Sequence, residues 1–515
     1  MRRRSPAPGL AGPITWLVLG FLLICAGCRP ASLTATPTLW EAPTSEPAPA
    51  PSPAAWLSEQ ALAMRPGYAE ELADLAHAPC YDLQADISPE QRTVQASLHI
   101  TYTNAGASAL SELPLRLYAN LPYRQGRLDI LRAERDGRPV TFDYAVERTA
   151  VWLTLAPALA PGQTAHIALT YRLAVPESAP DGYQELVARD GIMSLAGMVP
   201  LIPARRDGAW DLDLPEPYGD ALFAETALFR FQLTLPRPMV AAATGSRVEE
   251  RSNAKAGTRT DTYVSGPARD IMVALSPYFQ AESRSVEDIT VRSYFLPEDR
   301  TAGVEALRLA ADGLRQFQEW FGAYPYRELE LVETPLLAAG MEYPGIISLG
   351  RHIYQGDQSR RLPWVVLHEV AHQWWFGLVG NDQLREPWLD EALANYSAWL
   401  YFERTAGQQE AAALFRELFE EPARPFQETD RDLPINLPVA AYPRDAYGPV
   451  VYDKGALFLH ALRQEMGDEA FFAFLRGYAE RFRYRIATAG DFLALAQTYT
   501  PHPLAPFFAE WGFVK

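Results

Sequence analysis

The chain has 515 residues, 48% of them hydrophobic, and a formal net charge of −17. That length allows more than one domain and a sizeable core, and the acidity argues against nucleic acid or anionic lipid as a partner. With only Cys25, Cys28 and Cys80, no disulfide scaffold is expected and the core has to hold by packing.

In chain order, Met1-Arg2-Arg3-Arg4 is a basic leader and Ile14 to Ile24 a short apolar run. The run falls well below the ~20 residues of a membrane span, so a cleaved signal peptide over 1–28 is expected. Cys25-Ala26-Gly27-Cys28 resembles a bacterial lipobox with Cys28 as the lipidated residue, although Cys25 stands where lipoboxes prefer Leu. The expected location is therefore outside the cytoplasm, on a membrane through an N-terminal lipid or signal anchor, or secreted if Cys28 is not used. Prolines crowd 29–58 among Ala, Ser and Thr, which predicts an extended tether.

Residues 59–285 read as β. Val94, Ala96, Leu98, Ile100 and Tyr102 alternate, as do Ala165, Ile167, Leu169 and Tyr171, and breaks such as Asp136-Gly137 and Pro161-Gly162 separate the runs. From 286 to 515 the period becomes helical. Val304, Leu307, Ala311, Leu314, Phe317 and Phe321 mark an amphipathic helix, and later helices are expected to use Asp468 and Asp491 as N-caps. No internal repeat stands out.

The chemistry is concentrated in His368-Glu369-Val370-Ala371-His372, followed after eighteen residues by Glu391. Histidines at i and i+4 share one helix face, one turn apart, so both can reach one metal. A glutamate from a second element completes a His₂Glu set and leaves a fourth position open, as in catalytic rather than structural zinc sites. Glu369 is then suited to accept a proton from the attacking water. Pro363 fits the first turn of this helix and Gly377 its end. Pro387 and Gly407 bracket a second helix carrying Glu391 in its first turn.

The run HEVAHQWWFGLVGNDQLREPWLDEALANY resembles the zinc helix pair of the aminopeptidase N family of gluzincin metallopeptidases. Gly340-Met341-Glu342-Tyr343-Pro344-Gly345 lies where that family has its Gly-x-Met-Glu-Asn strand, and Tyr452-Asp453-Lys454-Gly455 where it has a tyrosine followed by x-Lys-Gly. The likeness is strong from about 300 to 515 and only a matter of pattern from about 80 to 280. It implies an α+β multidomain fold. An N-terminal antiparallel β-sheet saddle would precede a thermolysin-like, mainly helical zinc-peptidase domain with a C-terminal helical subdomain.

For the site, the resemblance implies one zinc ion on His368, His372 and Glu391, with Glu369 as the base and Tyr452 as the oxyanion donor, Tyr447 being the competing tyrosine. Gly340, Met341 and Glu342 would contact substrate, with Glu342 binding the free α-amino group. Tyr343 replaces the family's asparagine, and the family's second amine-binding residue has no counterpart legible in this sequence. The family's C-terminal superhelix has no room before Lys515. The expected activity is release of N-terminal amino acids from peptides. A thermolysin-like endopeptidase and an inactive peptide-binding lipoprotein are the alternatives.

Overall fold

The alternating run from Val94 to Tyr102 becomes Thr93–Thr103, a central strand of an eight-stranded sheet in the computed structural model. The structure describes residues 53–513 except 180, 207, 356–359 and 430; Cys28, the signal peptide and the tether up to residue 52 lie outside them. The described residues belong to one unit, Pro47–Lys515.

The large sheet is antiparallel except where Cys80–Ser88 runs parallel to Ala227–Pro236. Its inward residues close on a three-stranded sheet built from Leu110–Arg116, Ala150–Leu159 and Phe142–Ala145, around one apolar cluster. A four-stranded sheet, Val240–Ala243, Val273–Ser276, Ile192–Leu195 and Leu186–Arg189 in spatial order, adds the wall nearest the second half.

That half begins at a hairpin, Gln280–Val286 with Ile289–Phe295, which straddles the boundary expected at 285/286. The hairpin joins Glu328–Thr334, Ile346–Gly350 and Gly340–Tyr343 in a five-stranded sheet. Gly340–Tyr343 is its edge strand, paired on one side only, with Ile346–Gly350. Helix Arg300–Phe321 covers the sheet through its periodic apolar face, and the remaining helices pack behind it in the larger apolar cluster.

Three expectations change. The last residues assigned to the tether are helical (Pro53–Gln60), because Trp56 is buried in the cluster of the C-terminal half. Asp468 is the first helical residue after Gly467 rather than the cap. Asp491 is the third residue of a capping box, in which Thr488 caps and Asp491 accepts back from the Thr488 N–H. Among the described residues no helix is long and apolar enough to cross a membrane.

Candidate metal centre and active site

Helix Arg361–Ala371 is built from Leu362, Val365, Val366, Leu367 and Val370, with Pro363 in its first turn, and ends at His372 rather than near Gly377. It packs closely on Arg300–Phe321 because Gly313 has no side chain. A Cβ there would lie 2.7 Å from Leu367 Cδ2. The packing holds two imidazoles in the interior, one turn apart.

Their Nε2 atoms lie 3.0 Å from each other, and 3.2 and 3.4 Å from Glu391 Oε2. His368 Nδ1 donates to Asn395 Oδ1 at 3.1 Å and His372 Nδ1 to the Trp375 carbonyl at 2.9 Å. With the protons on Nδ1, both Nε2 atoms present lone pairs to the same point. Glu391 Oε2 is buried without a hydrogen bond. Three converging lone pairs repel one another, and a divalent cation satisfies all three. Two imidazoles and one carboxylate, ligand atoms within 4.8 Å, fit zinc and leave a coordination position free.

Electrostatics agree with the geometry. Burial pushes the Glu391 carboxyl up, but the two imidazoles set against it outweigh that and hold it well below the usual range. Burial lowers the His368 imidazole, keeping it neutral. Burial acts the same way on His372, yet Glu342, Glu391 and Glu369 together raise it well above its ordinary value. Without a cation, this acidic surround would force a proton onto His372.

Glu369 lies beside the ligands, buried, with Oε2 unpartnered. Burial and repulsion from Glu342 and Glu391 raise its carboxyl well above 4.5, as suits a group that takes up a proton. Its carboxylate rests on the backbone of the edge strand, where a Cβ on Gly340 would sit 2.2 Å from Glu369 Oε1. Gly340→Ala should therefore leave folding and metal content intact but displace the Glu369 carboxyl. A fall in kcat of about 100-fold is expected, as for a misplacement near 1 Å, and wild-type kcat with bound zinc would refute this role for Gly340.

Two residues on, Glu342 lies on the same face of the strand. It is buried and accepts from Gln383 Nε2 at 3.1 Å, and that same nitrogen donates to Asp390 Oδ2 at 2.9 Å. Met341 and Tyr343 alternate to the other face. Met341 packs in the apolar cluster with Tyr294, Val332 and Leu336, so its backbone, rather than its side chain, borders the cleft. Tyr343 donates to Glu185 Oε2 at 2.6 Å, and Glu185 pairs with buried Arg124. The tyrosine that replaces the family's asparagine therefore fastens the edge strand to the N-terminal half.

Tyr452 lies in a wide helical turn, Gly448–Lys454, and its hydroxyl donates to Glu391 Oε1 at 2.5 Å. The x-Lys-Gly tail has a physical purpose. Lys454 Nζ ties the turn to Asp432 and the Leu433 carbonyl, and a Cβ on Gly455 would lie 2.6 Å from Ala392 Cβ on the Glu391 helix. A side chain at 455 would force this turn away from the Glu391 helix. Tyr447 also lines the region, its hydroxyl buried and unpartnered.

The structure adds Asp220, Gln383, Asp390 and Asn395, which the sequence reading passed over. Asn395 sits four residues after Glu391, hence on its face, and links His368 to Asp453; that spacing was a usable signal. Asp220 comes from the N-terminal half, in a Pro-rich segment with no periodicity. Burial, then repulsion by Glu342 and Glu391, raises its carboxyl well above 3.8. Among the described residues no Lys or Arg pairs with Glu342, Asp220 or Asp390.

An HExxH helix, a glutamate on the next helix and the Glu369 carboxyl lying over an edge strand define the class: a zinc metallopeptidase site. Residues 305–511 match the Peptidase family M1 domain. It is 26% identical to Aminopeptidase M1 of Arabidopsis thaliana over 301 residues, covering 55% of this chain and 34% of that protein. It is 27% identical to the alanine/arginine aminopeptidase of Saccharomyces cerevisiae over 252 residues, covering 46% and 29%. The chain thus spans about a third of the length of these curated relatives. The solved M1 zinc metallopeptidase from Deinococcus radiodurans has the same two-domain fold, with a TM-score of 0.63 at 22% identity, covering 85% of this chain and 94% of that one. A mutant of that enzyme has been solved bound to a Tyr-Ser-Ala substrate.

Proposed function

We propose that this protein is a zinc aminopeptidase that releases N-terminal residues from peptides outside the cytoplasm. The observation that carries the reading is the group of buried carboxyls without a Lys or Arg partner among the described residues, Glu342, Asp220 and Asp390, beside the His₂Glu set. Buried carboxylates without cationic partners are costly, and a substrate's α-ammonium is the cation that relieves them. Gln383 holds Glu342 and Asp390 in place for that contact.

Zinc bound by His368, His372 and Glu391 would polarise the scissile carbonyl and acidify the attacking water. Glu369 accepts the water's proton and returns it to the leaving amine. Tyr452 donates to the oxygen that gains negative charge. The edge strand Gly340–Tyr343 offers its free side to an extended peptide, and Gly340 keeps that side clear for Glu369.

Hydrolysis of an alanyl or leucyl arylamide, compared with its N-acetyl derivative, tests the reading. The free amine should be cleaved and the acetylated compound left intact. Equal cleavage of both would mean an endopeptidase, and cleavage of neither by zinc-loaded protein would mean a binding role. The leader supports lipid anchoring through Cys28. Incorporation of labelled fatty acid, lost in Cys28→Ala along with membrane association, is the expected result; unchanged fractionation of that variant would remove the anchor.

A further inference from the structure

Away from the carboxylates, the N-terminal half holds a cavity of about 320 Å³ that the proposed reaction does not use. Its walls include Tyr81 stacked on Phe229 at 4.8 Å, and Tyr102 near Trp210 at 6.4 Å. Two arginines line it. Arg205 lies over Trp210, its guanidinium carbon 4.0 Å from the ring centroid, with Nε buried and unpartnered.

Arg269 is buried and gives its three nitrogens to the carbonyls of Phe376, Ala224 and Arg485. These contacts engage each nitrogen once, three of its five N–H donors, without neutralising its charge, and burial pushes the guanidinium down to about 10. Among the described residues neither arginine has a carboxylate within ion-pairing distance. Glu225, exposed at the rim, reaches Arg269 only through space. The lining therefore keeps an excess of positive charge beside aromatic walls.

Arg65, by contrast, is paired with Glu287 and Asp288, and Arg124 with Glu185. Arg205 is held by its ring without an anion, so its fork is pre-organised for one.

From this we infer a second binding site, in which the cavity takes a small organic carboxylate with an aromatic or branched apolar body, its carboxylate on Arg205 and its body between Trp210, Tyr102 and Tyr81. The site is separate from the catalytic residues named above. Arg269 links it to the turn after the zinc helix through the Phe376 carbonyl, three residues beyond the motif's neighbour Gln373.

Calorimetric titration of the zinc-loaded protein with 3-phenylpropionate tests the inference, with 3-phenylpropionamide as the uncharged counterpart. One saturable site per chain is expected, with affinity at least about tenfold weaker for the amide, because a charged hydrogen bond is lost. Arg205→Gln should weaken binding about as much while keeping arylamidase turnover and zinc content, which shows that it folds. Trp210→Leu should weaken it independently, and Glu342→Gln should leave it unchanged. The inference fails if the acid does not bind, if acid and amide bind alike, or if Arg205→Gln binds as wild type. It also fails if Glu342→Gln abolishes binding, which would put the ligand in the catalytic cleft.

Discussion

Glu369→Gln should abolish turnover, by about 10²–10⁴-fold or more in kcat, while zinc stoichiometry and thermal stability stay at wild-type levels. The amide fills the same space over Gly340, so the packing that puts a Cβ 2.2 Å from Oε1 is not disturbed. What disappears is the capacity to take a proton. Burial and the neighbouring carboxylates make proton uptake favourable at this position, and an amide cannot exploit that. Stability gives an independent check. Glu369 Oε2 is a buried acceptor without a partner, so removing the charge should be neutral or slightly stabilising. A variant that keeps its zinc and hydrolyses the arylamide at the wild-type rate would overturn the assignment of the base. One that loses zinc as well would show that Glu369 supports the ligands instead.

The contrast between Glu369 and Asp220 shows what the sequence could reveal. Glu369, His368, His372 and Glu391 lie on two helices, where spacing along the chain converts directly into facing in space. Gly340, Glu342, Tyr452 and Gly455 were legible only through the family resemblance. Their physical reasons, a close approach to Glu369 and to Ala392, appear once distances are known. Asp220 reaches the site from a segment without period, across the join between the two halves, so no local rule could place it. The β half was legible where alternation was strict, at Thr93–Thr103 and Thr164–Ala174. It was illegible where the fold departs from a simple meander, as in the parallel pairing of Cys80–Ser88 with Ala227–Pro236. The short caps were misread by one or three residues, because Asp suits the first turn as well as the cap.

Tyr452→Phe is the second large effect. If its hydroxyl donates to the developing oxyanion, its loss should lower kcat by about 10²–10³-fold, or ~2.7–4 kcal/mol, with KM nearly unchanged. The structure supplies a competing explanation, because the same hydroxyl donates to Glu391 Oε1 at 2.5 Å. Removing a partner of a ligand typically weakens metal affinity about 10–100-fold, and that alone would depress activity. The two effects separate under zinc titration. A deficit due to lost metal is restored as free zinc rises, whereas a deficit in oxyanion stabilisation persists in fully loaded enzyme. Persistence is the expected outcome, since the ring stays stacked on His368 with centroids 6.0 Å apart and a phenyl group preserves that contact. Tyr447→Phe is the matched control. Its hydroxyl is unpartnered and its ring lies 5.7 Å from that of Tyr452, so it is near enough to compete for the role. A larger loss in Tyr447→Phe than in Tyr452→Phe, both fully zinc-loaded, would transfer the oxyanion contact to Tyr447 and leave Tyr452 as the residue that orients Glu391.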